Sequence, residues 1–238
     1  MTACPKSGPH AAARVAPNCR HCTARPLCPL SRLHGDQVVE LQLQEHSFGV
    51  GDVLQAQGGT STAIRIIKSG ATMVCRDAPA GGRQPVGIAG RGTLTGQFGL
   101  LGRVDLVTHI AILEGRYCEL SNAALQRSGL LETPAFMGQM FDVLAHSIEA
   151  HFNWSHLRNG DGVVRQLAGA LLYLSNLQGS LRVRLPTQTT LADLLGTTRE
   201  SITRAFARLE KDGSLSRCGR YYCDLQVPRL VQAIEMAP

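Results

Sequence analysis

"TQTTLADLLGTTRESITRAFARLEKDGSLSRCGRYYCDL", residues 187–225, carries the strongest structural pattern in this 238-residue chain. Thr187 is placed to cap a short helix whose Leu191, Leu194 and Leu195 form an inner face. Gly196 stands at the position of a tight turn, and Thr198 caps a second helix with Ile202, Phe206 and Leu209 facing inward. That leaves Arg199, Glu200, Thr203, Arg204, Arg208 and Lys211 on the outer face. Gly213 ends the second helix, and "LSRCGRYYCDL" reads as a hairpin turned at Cys218-Gly219. Two short helices joined by a glycine turn, the second exposing arginines near its start, describe a helix-turn-helix with a wing. Arginine reads guanine O6 and N7 with two parallel hydrogen bonds, and glutamate accepts from cytosine N4. Arg199, Glu200 and Arg204 lie within two helical turns, so they reach neighbouring base pairs of one major groove. A solvated basic face has the same charges, but the turn, the caps and the wing together favour double-stranded DNA as the partner.

Working outward, "VVRQLAGALLYLSNLQ" (163–178) is an apolar helix ended by Gly179, and "LRVRLP" (181–186) alternates as a short strand. Before them, Pro134 precedes a long segment in which Met137, Phe141, Leu144, Ile148, His151 and Ser155 step by four and three. That spacing makes one helical seam, open to two uses: a dimer contact or packing within its own domain. From about Val38 to Leu125, runs such as "GVGDVL", "AIRIIKSGATMVCR" and "HIAILEGRYCEL" alternate with glycine turns, which predicts a compact all-β unit.

The net charge of +6 is uneven. Residues 1–35 carry five basic side chains and no acid, 36–158 nine basic and eleven acidic, and 159–238 ten basic and seven acidic. The basic last third fits an anionic partner. A hydrophobic share of 44% against 18% charged residues is that of a folded globular chain. The longest apolar run, around "LAGALLYL", is far short of the roughly 20 residues that span a bilayer, so no membrane is expected. No secretory signal is read at the N-terminus, and the expected location is cytoplasmic. In that compartment thiols stay reduced, and Cys19, Cys22 and Cys28 of "NCRHCTARPLC" (18–28) favour a metal over a disulfide.

Taken together, these stretches resemble the CRP/FNR family of bacterial transcription regulators. "TTRESITRAFARLEKDGSL" (197–215) and the hairpin after it are similar to that family's recognition helix and wing. "GVGDVLQAQG" (49–58), "IIKSG" (66–70) and "GRGTLTGQFGLL" (90–101) are similar to the glycine landmarks of its β-roll. The resemblance implies an α+β fold: an N-terminal cyclic-nucleotide-binding-like β-roll, a long dimerisation helix and a C-terminal winged helix-turn-helix. The expected organisation is a cysteine-rich arm over 1–35, the sensor roll over 36–130, the dimerisation helix over 131–158 and the DNA-binding domain over 159–238. Homodimers on a palindromic site follow from it, with RNA polymerase as a further partner, Thr187, Thr198, Arg199, Glu200, Thr203 and Arg204 at the DNA, and Met137, Phe141, Leu144, Ile148 and His151 in the dimer seam.

In the FNR branch of that family an N-terminal C-x2-C-x5-C and one cysteine at the end of the roll hold an oxygen-labile 4Fe–4S cluster. The resemblance therefore implies that Cys19, Cys22, Cys28 and Cys118 of "EGRYCEL" (114–120) are cluster ligands, and that the protein is an oxygen- or redox-responsive regulator rather than an enzyme. Basic residues near the ligands, Arg20, His21 and Arg25, would offset the charge of such a cluster. Zinc also accepts four thiolates, although structural zinc sites usually pair two C-x2-C knuckles and only one is present. A cyclic nucleotide is not expected: Gln97 follows Gly96 where the cyclic-nucleotide branch has glutamate, and "VDLVTH" (104–109) stands in place of its Arg-Ser pair. A haem sensor of nitric oxide or carbon monoxide using His10, His21, His34 or His46, a cluster-free thiol switch and an iron–sulfur electron carrier are the other readings. The haem reading leaves the cysteine register unexplained, and an electron carrier has no use for the Arg199 helix.

Overall fold

The computed structural model describes residues 19, 22–30, 41–78, 81–160 and 162–235. Its backbone divides into two compact units, Met1–Gln84 with Ala89–Ile148, and Pro85–Ile88 with Glu149–Pro238.

The first unit is built on β1 (Gln44–Phe48), β2 (Val53–Gln55), β3 (Ala63–Asp77), the ends of β4 (Arg83–Ala89), β5 (Leu94–Thr95) and β6 (Thr108–Ser121); Pro85–Ile88 of β4 belong to the second unit. They form one sheet in the order β1-β6-β3-β4, with β2 also on β6 and β5 on β3. β3 and β6 run antiparallel from Ala63↔Ser121 to Cys75↔Thr108, with register shifts between Ile67 and Thr72. Gly70 and Gly115 make that irregular crossing: a Cβ on Gly70 would sit 2.6 Å from the Glu114 carbonyl, and one on Gly115 would run into Ser69 O. Gly70 also has φ +84°, which L side chains rarely adopt. Ile64 and Ile66 pack on one face of β3 with Leu43, Cys118 and Leu120, whereas Ile67 packs on the other with Phe48 and Tyr117. Both faces are therefore covered, as a rolled sheet requires. Two short helices, α1 (Gln97–Leu100) and α2 (Asn122–Arg127), interrupt a region expected to be all β. β1 escapes the sequence pattern as well, because "QEHSF" lacks a clean apolar alternation.

The dimerisation helix expected over 131–158 starts later: a 3-10 turn takes Leu130–Glu132, and α3 begins at Pro134 and runs to Arg158. Pro134 supplies the fixed φ and missing donor that suit a first helical position. Phe136, Met140 and Val143 of α3 are buried in the core of the first unit, and Leu144 packs partly against it. Phe141, Ile148 and Phe152 are exposed, at 63%, 57% and 68%. Of the expected seam residues, Phe141, Ile148 and His151 are exposed and Leu144 packs partly against its own core; Phe152 is a further exposed apolar residue of this helix.

The second unit holds α4 (Val163–Gln178), α5 (Gln188–Leu195), α6 (Arg199–Lys211) and α7 (Val227–Glu235), with a sheet β7-β9-β8 of Arg182–Arg184, Tyr222–Leu225 and Leu215–Cys218. Its core takes Leu167, Leu171 and Leu174 from α4, Leu191 and Leu194 from α5, and Ile202, Phe206 and Leu209 from α6. α4 spans the residues that its apolar pattern predicts. The hairpin turn falls at Gly219–Tyr221, one residue beyond the expected place, and α7 is an element the sequence pattern did not reveal.

Candidate functional site

In the first unit, strand register decides the direction of Cys118. It lies across from Glu45 on β1 and from Ile66 on β3, so its thiol faces the same side as both. The segment from Cys22 to Leu30 folds over that side. A 3-10 turn, Arg25–Leu27, begins beside Pro26 and closes with Leu27 N donating to Ala24 O at 3.0 Å and Cys28 N to Arg25 O at 3.2 Å. Ala24 and Leu30 are 1% exposed and anchor it. Leu27 rests where Gly92 has no side chain; a Cβ there would come within 2.6 Å of it. Thr23 Oγ1 donates to the Lys68 carbonyl at 3.5 Å. As a result Cys19, Cys22, Cys28 and Cys118 line one pocket, with Leu30, Leu43 and Ile66 as apolar wall and Lys68 and Arg25 as cations.

Burial pushes the Cys118 thiol up to about 12 and the Cys28 thiol up to about 11. Burial, then the neighbouring Cys22, raises Cys19 as well. As free thiols these groups keep their protons at neutral pH and are poor nucleophiles, unlike the low-pKa, exposed cysteines of thiol switches. A bound iron would take the place of the proton. Among the described residues, no group of three or more His, Cys, Asp or Glu side chains is gathered to hold a single metal ion. Tetrahedral zinc needs its sulfurs about 3.8 Å apart, given Zn–S bonds of about 2.3 Å. A 4Fe–4S cluster would instead seat each of four thiolates on a different iron.

Lys68 and Glu45 were not legible as part of this site. Lys68 is 7% exposed, and its Nζ donates to Glu45 Oε2 at 2.5 Å. Burial works against the Lys68 charge, but the hydrogen bond to Glu45 and the nearby Cys118 outweigh it and raise the group above its ordinary value. Arg116 Nη1 meets the other Glu45 oxygen at 3.0 Å. Arg20 and His21, the other expected counter-charges, lie outside the described residues, as do His10 and His34. His46 is described; it stacks on Tyr117 at 5.2 Å, with Nε2 3.9 Å from Glu119. Cys75 and Cys223 are fully buried, and Cys218 donates to Asp224 Oδ2 at 2.9 Å.

In the second unit, Thr187 Oγ1 accepts from Thr190 N at 3.1 Å and caps α5; Thr198 Oγ1 accepts from Ser201 N at 3.2 Å and caps α6. Gly196, in the left-handed region, turns the chain between them. Arg199, Glu200, Thr203 and Arg204 are all exposed on the outer face of α6. Thr203 Oγ1 donates to Gln188 Oε1 at 2.8 Å, tying the two helices, and Arg204 Nη2 lies 3.2 Å from Ser201 Oγ. A groove beside them is lined by Thr187, Gln188, Arg199, Arg217, Arg220 and Tyr221. Arg217 stacks over Phe206 at 4.9 Å, which fixes the base of the wing.

Residues 165–232 match the Crp-like helix-turn-helix domain. The second unit therefore contains a Crp-like helix-turn-helix domain, and DNA binding follows from it. Among solved structures the chain is similar to FixK2 from Bradyrhizobium japonicum, at 18% identity and a TM-score of 0.68, over 82% of this chain and 99% of that one. It is similar to a CRP-family transcriptional regulator from Thermus thermophilus, at 18% identity and 0.64, over 80% and 97%. The c-di-GMP-responsive global regulator CLP of Xanthomonas campestris aligns at 17% identity and 0.62, over 81% and 100%. At such identities the likeness establishes the fold: the β-rich sheet unit like the cyclic-nucleotide-binding fold, helices and a C-terminal Crp-type domain. No curated protein matches the sequence.

All six residues expected at the DNA fall inside the Crp-like domain, on α5, α6 or their caps. Of the six, Thr187 and Arg199 line the groove, where Gln188, Arg217 and Arg220, which the sequence reading did not single out, join them. Gln188 could have been found as the residue after a helix cap; the wing arginines were visible as charges but not as neighbours of α5. No described helix is long and apolar enough to cross a membrane.

Proposed function

We propose that the protein is a homodimeric DNA-binding transcription regulator of the FNR type, whose DNA-binding state responds to oxygen or redox conditions through a 4Fe–4S cluster held by Cys19, Cys22, Cys28 and Cys118. One observation carries this reading: three cysteines of the N-terminal segment and one of the last sheet strand line a single pocket. The Crp-like domain supplies the DNA-binding end, and its relatives in fold are regulators rather than enzymes. When bound, the cluster supplies an oxygen-reactive redox centre.

The chain's own residues give the pocket a route to α3. Leu30 and Cys118 belong to the same buried core as Leu120, Leu130, Phe136 and Met140. Ligation that holds the Cys22–Leu30 segment down keeps Leu30 in that core, and its release would loosen the packing under the first turns of α3. That bias on the exposed side of α3 is how sensing would reach the dimer. RNA polymerase is the downstream partner this reading implies. A cyclic nucleotide is a poor fit: Ser61, which packs against Gly96 and Gly99, donates to the buried Asp105, so an acidic side chain rather than a cation stands behind that turn.

Anaerobic purification with iron and acid-labile sulfide analysis tests the cluster. The expected protein is brown, with roughly four irons and four sulfides per chain, and its colour bleaches in air. Cys118→Ala should lose the cluster while Cys218→Ala keeps it. Full iron and sulfide in Cys118→Ala, or zinc in place of iron, would overturn the assignment.

A further inference from the structure

Two cations line the cysteine pocket, the exposed Arg25 and the buried Lys68. Lys68 stands two residues along β3 from Ile66, which pairs with Cys118, and Glu45 pairs with Cys118 from the opposite strand. The Lys68–Glu45 pair thus spans β6 over the fourth cysteine, and both side chains are about nine-tenths buried. Arg116, more than half exposed, takes the second Glu45 oxygen. A buried ion pair is a weak device for stability, since apolar residues of similar volume usually do as well. Its placement at a pocket walled otherwise by sulfur and aliphatic carbon points instead to the charge of what the pocket holds.

We propose that Lys68, positioned by Glu45, sets the reduction potential and oxygen lability of the centre bound by the four cysteines. This rests on the cluster reading above. A cluster with four thiolates is a net anion, and one more electron adds another negative charge. A fixed ammonium at the pocket wall favours the more reduced form, and a carboxylate behind it works against that effect. The two residues therefore act with opposite signs, with Glu45 restraining the Lys68 ammonium and moderating its field.

The experiment is an anaerobic redox titration followed by EPR, paired with the rate of bleaching at about 400 nm on exposure to air, for wild type, Lys68→Met and Glu45→Gln. Lys68→Met is expected to shift the midpoint negative and bleach several-fold faster. Glu45→Gln is expected to shift it positive and bleach more slowly, and Lys68→Arg to stay near wild type. A purely structural ion pair would move both single variants the same way or leave the potential unchanged, and either result overturns the inference. Should Lys68→Met fail to assemble a cluster, Glu45→Gln decides alone, since it keeps the ammonium: no shift or a negative one defeats the proposal. Wild-type protein that binds no iron and sulfide defeats the cluster reading itself, whereas a loaded wild type with unmoved variants defeats only the role of Lys68.

Discussion

His109 is buried on β6, with Nδ1 3.1 Å from Thr72 Oγ1. Burial pushes its pKa down to about 4. The native imidazole is neutral at pH 5, whereas in the unfolded chain it takes a proton near its ordinary value of about 6.5. Between those values the unfolded state binds more protons, so folding stability falls as pH drops from about 6.5 toward 4. The group should cost roughly 2 kcal/mol between pH 7 and pH 5, read as a lower urea midpoint, and His109→Gln should flatten that dependence. A wild type whose midpoint is unchanged at pH 5 would show that His109 accepts its proton without unfolding. At this scale sequence was a partial guide. Cys118 was singled out because the family resemblance implies one cysteine at the end of the roll, and the structure brings it to a pocket with Cys19, Cys22 and Cys28. Lys68 was not: in "AIRIIKSG" three consecutive side chains, Ile66, Ile67 and Lys68, are buried on a strand covered on both faces, so alternation gives no inside or outside.

The elements that sequence located best, α4, α5 and α6, have their ends written into capping chemistry. Thr187 and Thr198 accept from backbone amides, and Gly179 and Gly196 close helices in the left-handed region. β1 was hidden because its edges come from pairing with β6 rather than from its own composition. α7 was hidden because it follows the wing directly and buries only Leu230 fully. On α6 cap and face separate two kinds of loss. Thr198→Ala should lower unfolding free energy by about 1 kcal/mol, seen as a shifted melt of the second unit. Arg204→Ala should leave the melt in place and cost about 1–3 kcal/mol of specific DNA affinity per half-site, read in a mobility shift. Binding-site selection on random DNA should return palindromic half-sites about 10 bp apart, with guanines at the positions read by Arg199 and Arg204. Arg204→Ala bound as tightly as wild type would remove α6 from the recognition role.

For the molecule as a whole the open apolar row on α3 carries the next step. Phe136, Met140 and Val143 are spent on the core beneath the helix, and Phe141, Ile148 and Phe152 are left to solvent. Phe141 and Ile148, seven residues apart on the part of α3 that belongs to the first unit, form an exposed apolar patch that a second copy of the same helix would cover in the proposed homodimer. The sequence spacing alone did not separate core-facing from exposed positions of α3, because a 3.6-residue period drifts across a helix that is apolar on more than one side. His151 is exposed beside Phe152 and off the row, so dimer strength should not depend on its charge. Ile148→Glu should convert the dimer to monomer by sedimentation, since two carboxylates would face each other across the axis, while its melt stays close to wild type because the side chain is exposed. The monomer should keep weak binding to a single half-site and lose the added affinity of a palindrome, the two half-sites no longer being read by one linked protein. Wild type and His151→Leu should therefore sediment alike at pH 8 and at pH 5.5. If Ile148→Glu stays dimeric and binds the palindrome as wild type does, the contact lies elsewhere and the row on α3 must serve another surface.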